Sequence, residues 1–411
     1  MAAEKFGLLC YATGPIPTPA AAATTGSGTA PVAVQKPKLP EIHLNIWERD
    51  DPQAKEGEAF LDIGLMFDVQ ETATTIELIF PWKVEAAHIV DLSSTIAAHD
   101  AVPAIFNESW AVSAQQGDYV VYDPRNASPS FALVSIDGGA WTGKSHAAFW
   151  GGGPTAKTMN VNAISIDVQM LVARARGASN ATNHPIEKLY TRFRVLNIRK
   201  DFYCVGADDG GGDISAVLRQ RTEDIDFRLN VRRGAPPNLE RALGRFVEFS
   251  KVHLFLMRSR DKDIVFQDKL FKASRSLEDE DFWARYSLKD ANGTPKERDA
   301  NLKRVKNSLG YQWKSGGDGQ PVKEFGTLAR FRIVKVAVWP FIFWALVLGV
   351  GGNVLLDLGK LGYSKLRPEG YVEAICVKAG EEFVMPKQEC AVGAKTDATK
   401  GRSGPQVQKK E

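Results

Sequence analysis

Cysteine is scarce in this chain. The four at positions 10, 204, 376 and 390 are scattered through 411 residues. They are too few and too far apart for the disulfide framework of a small secreted fold, so the main body reads as a protein of a reducing compartment. Charge of one sign is also missing: 52 Lys and Arg stand against 49 Asp and Glu, a net of +3. A dedicated nucleic-acid binder carries a basic excess over a whole domain, so no nucleic-acid partner is expected. The six histidines (His43, His88, His99, His146, His184, His253) show no HExxH and no paired spacing, and no metal site and no cofactor are predicted from them. No G-x-S-x-G elbow and no cysteine nucleophile motif stands out, so no catalytic residue is assigned and the chain is read as not an enzyme. Internal repeats are lacking too. The N-terminal apolar run, residues 6–12, is short and follows Glu4 and Lys5, which does not match a secretory signal.

Long hydrophobic runs are absent with one exception. Residues 336–356, VAVWPFIFWALVLGVGGNVLL, carry no charge. At about 1.5 Å per helical residue they would extend roughly 31 Å, close to the hydrocarbon thickness of a bilayer. The stretch predicts one C-terminal transmembrane helix, with the lipid bilayer as partner. Pro340 and the Gly351-Gly352 pair are tolerated in bilayers more than in soluble helices. Trp339 suits the headgroup belt, Trp344 lies within the span, and Ala345 with Gly349 forms a small-xxx-small pair for self-association. The expected site is an inner or plasma membrane, single-pass, with the N-terminal body cytosolic. The short tail, 357–411, would then face the other side, where Cys376 and Cys390 could bridge in a disulfide. Between residues 296 and 335 ten basic residues stand against four acidic ones, a surplus suited either to anionic lipid or to a solvated helix face.

Before the span, residues 1–40 form a Pro/Ala/Thr-rich arm with little to bury, read as disordered. From 41 to 235 the period is two: Ile42, Leu44, Ile46; Leu61, Ile63, Leu65, Phe67, Val69; Ile76, Leu78, Phe80, Trp82; Ile164, Ile166, Val168, Met170, Val172; Ile225, Phe227, Leu229, Val231. Such alternation buries one face of each strand and predicts an antiparallel β-sandwich or open barrel. Residues 91–110 break the pattern as a helix or a long connection. Residues 236–335 read as a basic, smaller α+β juxtamembrane module. In it Asn238 could cap a helix carrying Ala242, Leu243, Phe246 and Val247 on one face. Thr294, Pro295 and Glu297 open a second helix over 295–309, closed by Gly310. The predicted class is therefore mainly β, with an α+β second module and one C-terminal transmembrane helix.

One catalytic motif matches formally. Gly138, Gly143, Lys144 and Ser145 satisfy G-x-x-x-x-G-K-[ST] after a strand-like run. A phosphate-binding loop also needs a helix behind it, whose N-terminal amides hold the phosphates. Here Gly151-Gly152-Gly153-Pro154 would stop any helix after about one turn, and Asp137-Gly138 is a good hairpin signal. A hairpin loop is the reading carried forward.

The sequence thus predicts a single-pass membrane-anchored binding or sensing protein whose cytosolic β-rich body meets a protein partner. Two other readings stand beside it. One is a membrane-perturbing effector, for example of a bacterial defence system, that clusters through its span; the other is a nucleotide hydrolase using the GGAWTGKS loop.

Overall fold

The computed structural model describes residues 6–14, 39–48, 59–71, 73–97, 101–106, 110–124, 130–150, 157–182, 185–208, 218–233, 235, 239, 245–277, 280–287, 295–317, 319–336, 342, 346–348, 357, 374–378 and 381–385. The fold is mainly β. It begins with β1 (Leu9–Thr13), β2 (Glu41–Trp47), β3 (Ala59–Asp68), β4 (Thr75–Phe80) and β5 (Ile89–Asp91), then two short helices, α1 (Ser93–Ile96) and α2 (Ala101–Phe106). Next come β6 (Trp110–Gln116), β7 (Tyr119–Pro124), β8 (Phe131–Val134), β9 (Trp141–Trp150) and β10 (Lys157–Asp167), which runs directly into α3 (Val168–Thr182). Strands β11 (Lys188–Ile198), β12 (Cys204–Asp208), β13 (Leu218–Leu229), β14 (Arg245–Phe246), β15 (Lys251–Ser259), β16 (Lys262–Gln267) and β17 (Ala273–Ser276) precede α4 (Glu280–Tyr286) and α5 (Pro295–Lys306). Strands β18 (Ser308–Gly316) and β19 (Phe325–Val336) complete the first of two compact units, which ends at Val336. The second unit, 337–411, holds the hairpin of β20 (Ala374–Lys378) and β21 (Glu381–Met385).

In the first unit the strands form a five-stranded sheet (β14-β1-β4-β10-β9), a four-stranded sheet (β12-β13-β19-β16) and a ten-stranded sheet (β17-β18-β15-β2-β3-β11-β8-β7-β6, with β5 beside β11). The alternation along β2 is expressed directly, with Ile42, Leu44 and Ile46 all buried. One hydrophobic cluster joins these side chains to Leu78 of β4, Ile164 of β10, Phe227 of β13 and Phe331 of β19, so all three sheets share it. A second cluster holds Trp47, Phe60, Tyr190 and Met257 with Ile96 of α1, Val102 of α2, Trp283 and Tyr286 of α4 and Val305 of α5. Successive strand residues point to opposite faces, which places α1, α2, α4 and α5 on the side of the ten-stranded sheet away from the aliphatic cluster, while α3 packs into that cluster through Val168, Leu171 and Val172.

Four expectations are corrected. The sheets are mixed rather than antiparallel throughout, because β15 runs parallel to β2 and β11 runs parallel to β8. The period-two reading of residues 164–172 fails after Ile166. Asp167 accepts a hydrogen bond from the Met170 amide and caps α3, whose buried residues Val168, Leu171, Val172, Ala175 and Ala178 follow helical spacing. Phe246 and Val247 belong to a strand edge, not to a helix face. Phe246 pairs with Tyr11, and the Val247 amide donates to the Cys10 carbonyl at 2.9 Å. Finally, α5 stops at Lys306, since Ser308 and Leu309 are taken up by β18, which pairs with β15 along its full length.

Strand β15, from the segment read as a separate module, lies beside β2 from the first segment. The N-terminal apolar run supplies β1, between β14 and β4. Val336, taken as the first residue of the span, is the last of β19. Among the described residues no helix is long and apolar enough to cross a membrane. Trp339, Trp344, Ala345 and Gly349 lie outside the described residues.

Candidate functional site

The helix-covered face of the ten-stranded sheet carries polar side chains in cross-strand rows. On β2 it presents Glu41, His43 and Asn45; the residues between them face the aliphatic cluster. Register then builds a first row, Lys314 (β18), His253 (β15), His43 (β2), Gly64 (β3) and Arg192 (β11). Beside it run Lys251, Glu41, Met66 and Tyr190, and on the other side Gln312, Phe255, Asn45, Asp62 and Arg194. Glycine is required at position 64: a Cβ there would sit 2.1 Å from the Tyr190 hydroxyl oxygen. The space it leaves lets that hydroxyl reach within 3.4 Å of His43 Nδ1 and accept from Arg192 Nη1 at 3.1 Å.

At one end of this face the charges are fully buried. Asp62 accepts from Arg194 Nε at 2.7 Å and from Arg194 Nη2 at 3.2 Å, and Arg192 Nη2 lies 3.8 Å away. Arg194 also donates to the Tyr286 carbonyl at 2.9 Å and lies over the Phe60 ring at 3.8 Å. Two guanidiniums and one carboxylate out of water are costly on their own. The ring faces, the carbonyl and the Tyr190 hydroxyl offset part of that cost. Arg192 Nε is buried with no hydrogen-bond partner among the described residues, next to a cavity of about 10 Å³ lined by His43, Asn45, Arg192 and Trp283.

The other end is more open and chemically different. Glu41, His43 and His253, all partly buried, place one ligand atom each within 4.8 Å of one another. The two imidazoles meet edge to face with centroids 4.8 Å apart, and the Phe106 ring of α2 lies 5.9 Å from His43. Glu41 Oε1 accepts from Lys251 Nζ at 3.1 Å and from Lys188 Nζ at 3.5 Å. Burial pushes the Glu41 carboxyl up, yet the two ammoniums outweigh it and hold it below the usual carboxylate range. Burial, helped by His253, Arg192, Lys251 and Lys188, pushes the His43 imidazole well below its ordinary value. Burial and Lys314 take His253 down to about 4. Both rings are therefore neutral near pH 7, the form that coordinates metals.

A second, largely buried network links Arg258, Lys262 and Lys200 to Glu48 and Glu223, with Glu48 Oε1 and Arg258 Nη1 left without a hydrogen-bond partner among the described residues. Arg258 donates to Glu48 at 2.7 Å and also to Glu223, while Lys262 donates to Glu48 at 2.9 Å and Lys200 to Glu223 at 2.6 Å. Burial raises the Glu223 carboxyl, but Lys262, Lys200 and Arg258 bring it down to about 2. This network ties β13, β15 and β16 together.

The formal phosphate-loop residues are not brought into such a site. Gly138 lies in a turn at φ +70, where its carbonyl accepts from Arg174 at 3.2 Å. Gly143, Lys144 and Ser145 lie within β9, opposite Ile164, Ala163 and Asn162 of β10. Lys144 donates to the buried Glu77 at 2.6 Å. A strand stands where a phosphate loop needs a helix N-terminus. The turn is not a hairpin either, because it carries the chain from β8 in the ten-stranded sheet to β9 in the five-stranded one. The side chain of Cys376, in β20, and all of Cys390 lie outside the described residues.

Sequence spacing missed the two histidines because a parallel strand pair brings them together. Glu41-x-His43 was visible as two residues on one strand face; His253 needed the β2–β15 register. No protein-family model and no curated protein matches the chain.

Proposed function

We propose that the chain is a single-pass, membrane-anchored binding or sensing protein with a sandwich-like, β-rich cytosolic body. One observation carries this reading: the body ends in a clamped strand that leads straight into the uncharged stretch. β19 is hydrogen-bonded to β13 on one edge and β16 on the other, and it ends at Val336. Residues 337–356 follow at once with no charge and no polar linker. At about 1.5 Å per helical residue they reach roughly 30 Å, enough to span. Leu346, Val347 and Leu348 support the reading, since these apolar residues are 62%, 41% and 70% exposed and successive helical positions face different directions. The partner would meet the body, and the span would hold it at the inner or plasma membrane.

Carbonate washing of membranes tests this directly. The full chain is expected to stay in the pellet, and a deletion of residues 337–356 to be released with its body folded. Recovery of the full chain in the wash would sink the proposal.

A further inference from the structure

We propose that Glu41, His43 and His253 form an open site for a first-row divalent metal ion of the zinc class. The inference stands on the body alone and holds whether or not residues 337–356 cross a bilayer. Two imidazoles and one carboxylate are a ligand set that zinc accepts, at about 2.0–2.2 Å to nitrogen or oxygen. Their ligand atoms already lie within 4.8 Å of one another.

The backbone dictates this convergence. Glu41 and His43 are two apart on one strand and share a face, while His253 is the register partner of His43 on the parallel neighbour. His43 also has an outer contact of the kind that orients metal-bound histidines, because the Tyr190 hydroxyl can accept from its Nδ1–H. Tyr190 Oη lies 3.4 Å from His43 Nδ1, and Gln312 Nε2 lies 3.4 Å from His253 Nδ1. The Tyr190 contact leaves His43 Nε2 for the ion, while His253 must release its contact with the donating Gln312 amide or turn its ring to present a lone pair. Three protein ligands are the number found where a fourth position is kept for water or a second ligand.

The charges around the site set its character. Lys188 and Lys251 hold the Glu41 carboxylate, and Arg192, Lys272 and Lys314 also act on the two rings. An incoming cation must take Glu41 from at least one lysine. Both lysines can yield, since their side chains are 33% and 35% exposed and can turn into solvent. The same surplus of ammonium groups would serve an oxyanion, and the two chemistries respond oppositely to losing one. Removing Lys251 frees Glu41 for a metal but takes a charge away from an anion site.

The test is calorimetric titration of zinc chloride into the full chain in detergent, after treatment with a chelator and its removal. One zinc per chain is expected. His43→Ala and His253→Ala are each expected to weaken binding by about 100-fold, as loss of a ligand in a three-ligand site requires. Lys251→Met is expected to tighten it about tenfold, the size of one ammonium a few ångströms away in a partly solvated site. His253 and Lys251 are partly exposed, and thermal unfolding of these variants confirms their fold. No stoichiometric zinc binding by the wild-type chain would overturn the proposal. So would binding unchanged in His253→Ala, or weaker binding in Lys251→Met with tighter phosphate binding in the wild type.

Discussion

Along β2, Ile42, Leu44 and Ile46 point to one side of the ten-stranded sheet, and Glu41, His43 and Asn45 to the other. The aliphatic side continues through Leu61, Ile63 and Leu65 of β3 and Val252, Leu254 and Leu256 of β15, all buried. The polar side continues through Asp62, Arg192, Arg194 and His253, and it too is covered, here by helices. Burying aliphatic side chains is favourable at roughly 25 cal/mol per Å². Burying ions is not, and such groups persist only when paired or when they serve some end besides stability. The aliphatic face explains why the sheet forms. The polar face is where the sequence accepts a cost, and the Glu41–His43–His253 end is its more open part.

The sharpest way to break this contrast is to remove the single carboxylate among the buried arginines. Asp62→Ala leaves Arg194 and Arg192 without a counter-ion and is expected to cost about 3–5 kcal/mol in denaturant unfolding. The double variant Asp62→Leu, Arg194→Met is expected to recover most of that. If it does not, the ion pair supports the fold more than the comparison allows. On the other face, Leu254→Ala is expected to cost about 3 kcal/mol through lost transfer energy and an unfilled cavity. Its effect on zinc affinity is expected to be nil, which separates scaffold from site. The smallest effect comes from pH. His253 has a folded pKa of about 4 against 6.5 for the ordinary group, so the unfolded chain binds more protons between those values. Stability is complete above pH 6.5 and falls as pH drops toward 4. Between pH 7 and 5 the loss from His253 is expected to be about 1–2 kcal/mol, with His43 adding in the same direction. The His253→Gln variant is expected to flatten this slope.

The strands were legible because period two survives in β2, β3, β4 and β13, where one face meets aliphatic neighbours. It misled at Val168 and Met170, where the alternation ran on by chance and Asp167 capped a helix instead. Helix α5 was legible from its cap and Pro295, but its end was not. Leu309 fits the helical stripe and the β18 strand equally, and pairing with β15 decided it. The phosphate-loop match shows the reverse: a residue spacing met without the helix that gives it meaning. Glu41, His43 and His253 stayed hidden because no local signal announces a parallel neighbour so distant in the chain. Gly64 was readable only as a glycine in a strand, not as the opening that admits the Tyr190 hydroxyl.

The most direct measurement is the thermal unfolding midpoint of the full chain in detergent, with chelator and with zinc at about 100 times its dissociation constant. For the wild type, zinc is expected to raise stability by about 2.7 kcal/mol, a shift of several degrees. For the double variant Glu41→Gln, His253→Ala it is expected to raise it not at all. A wild-type midpoint that ignores zinc, or a variant that rises as the wild type does, would contradict the assignment of the polar face as a ligand site.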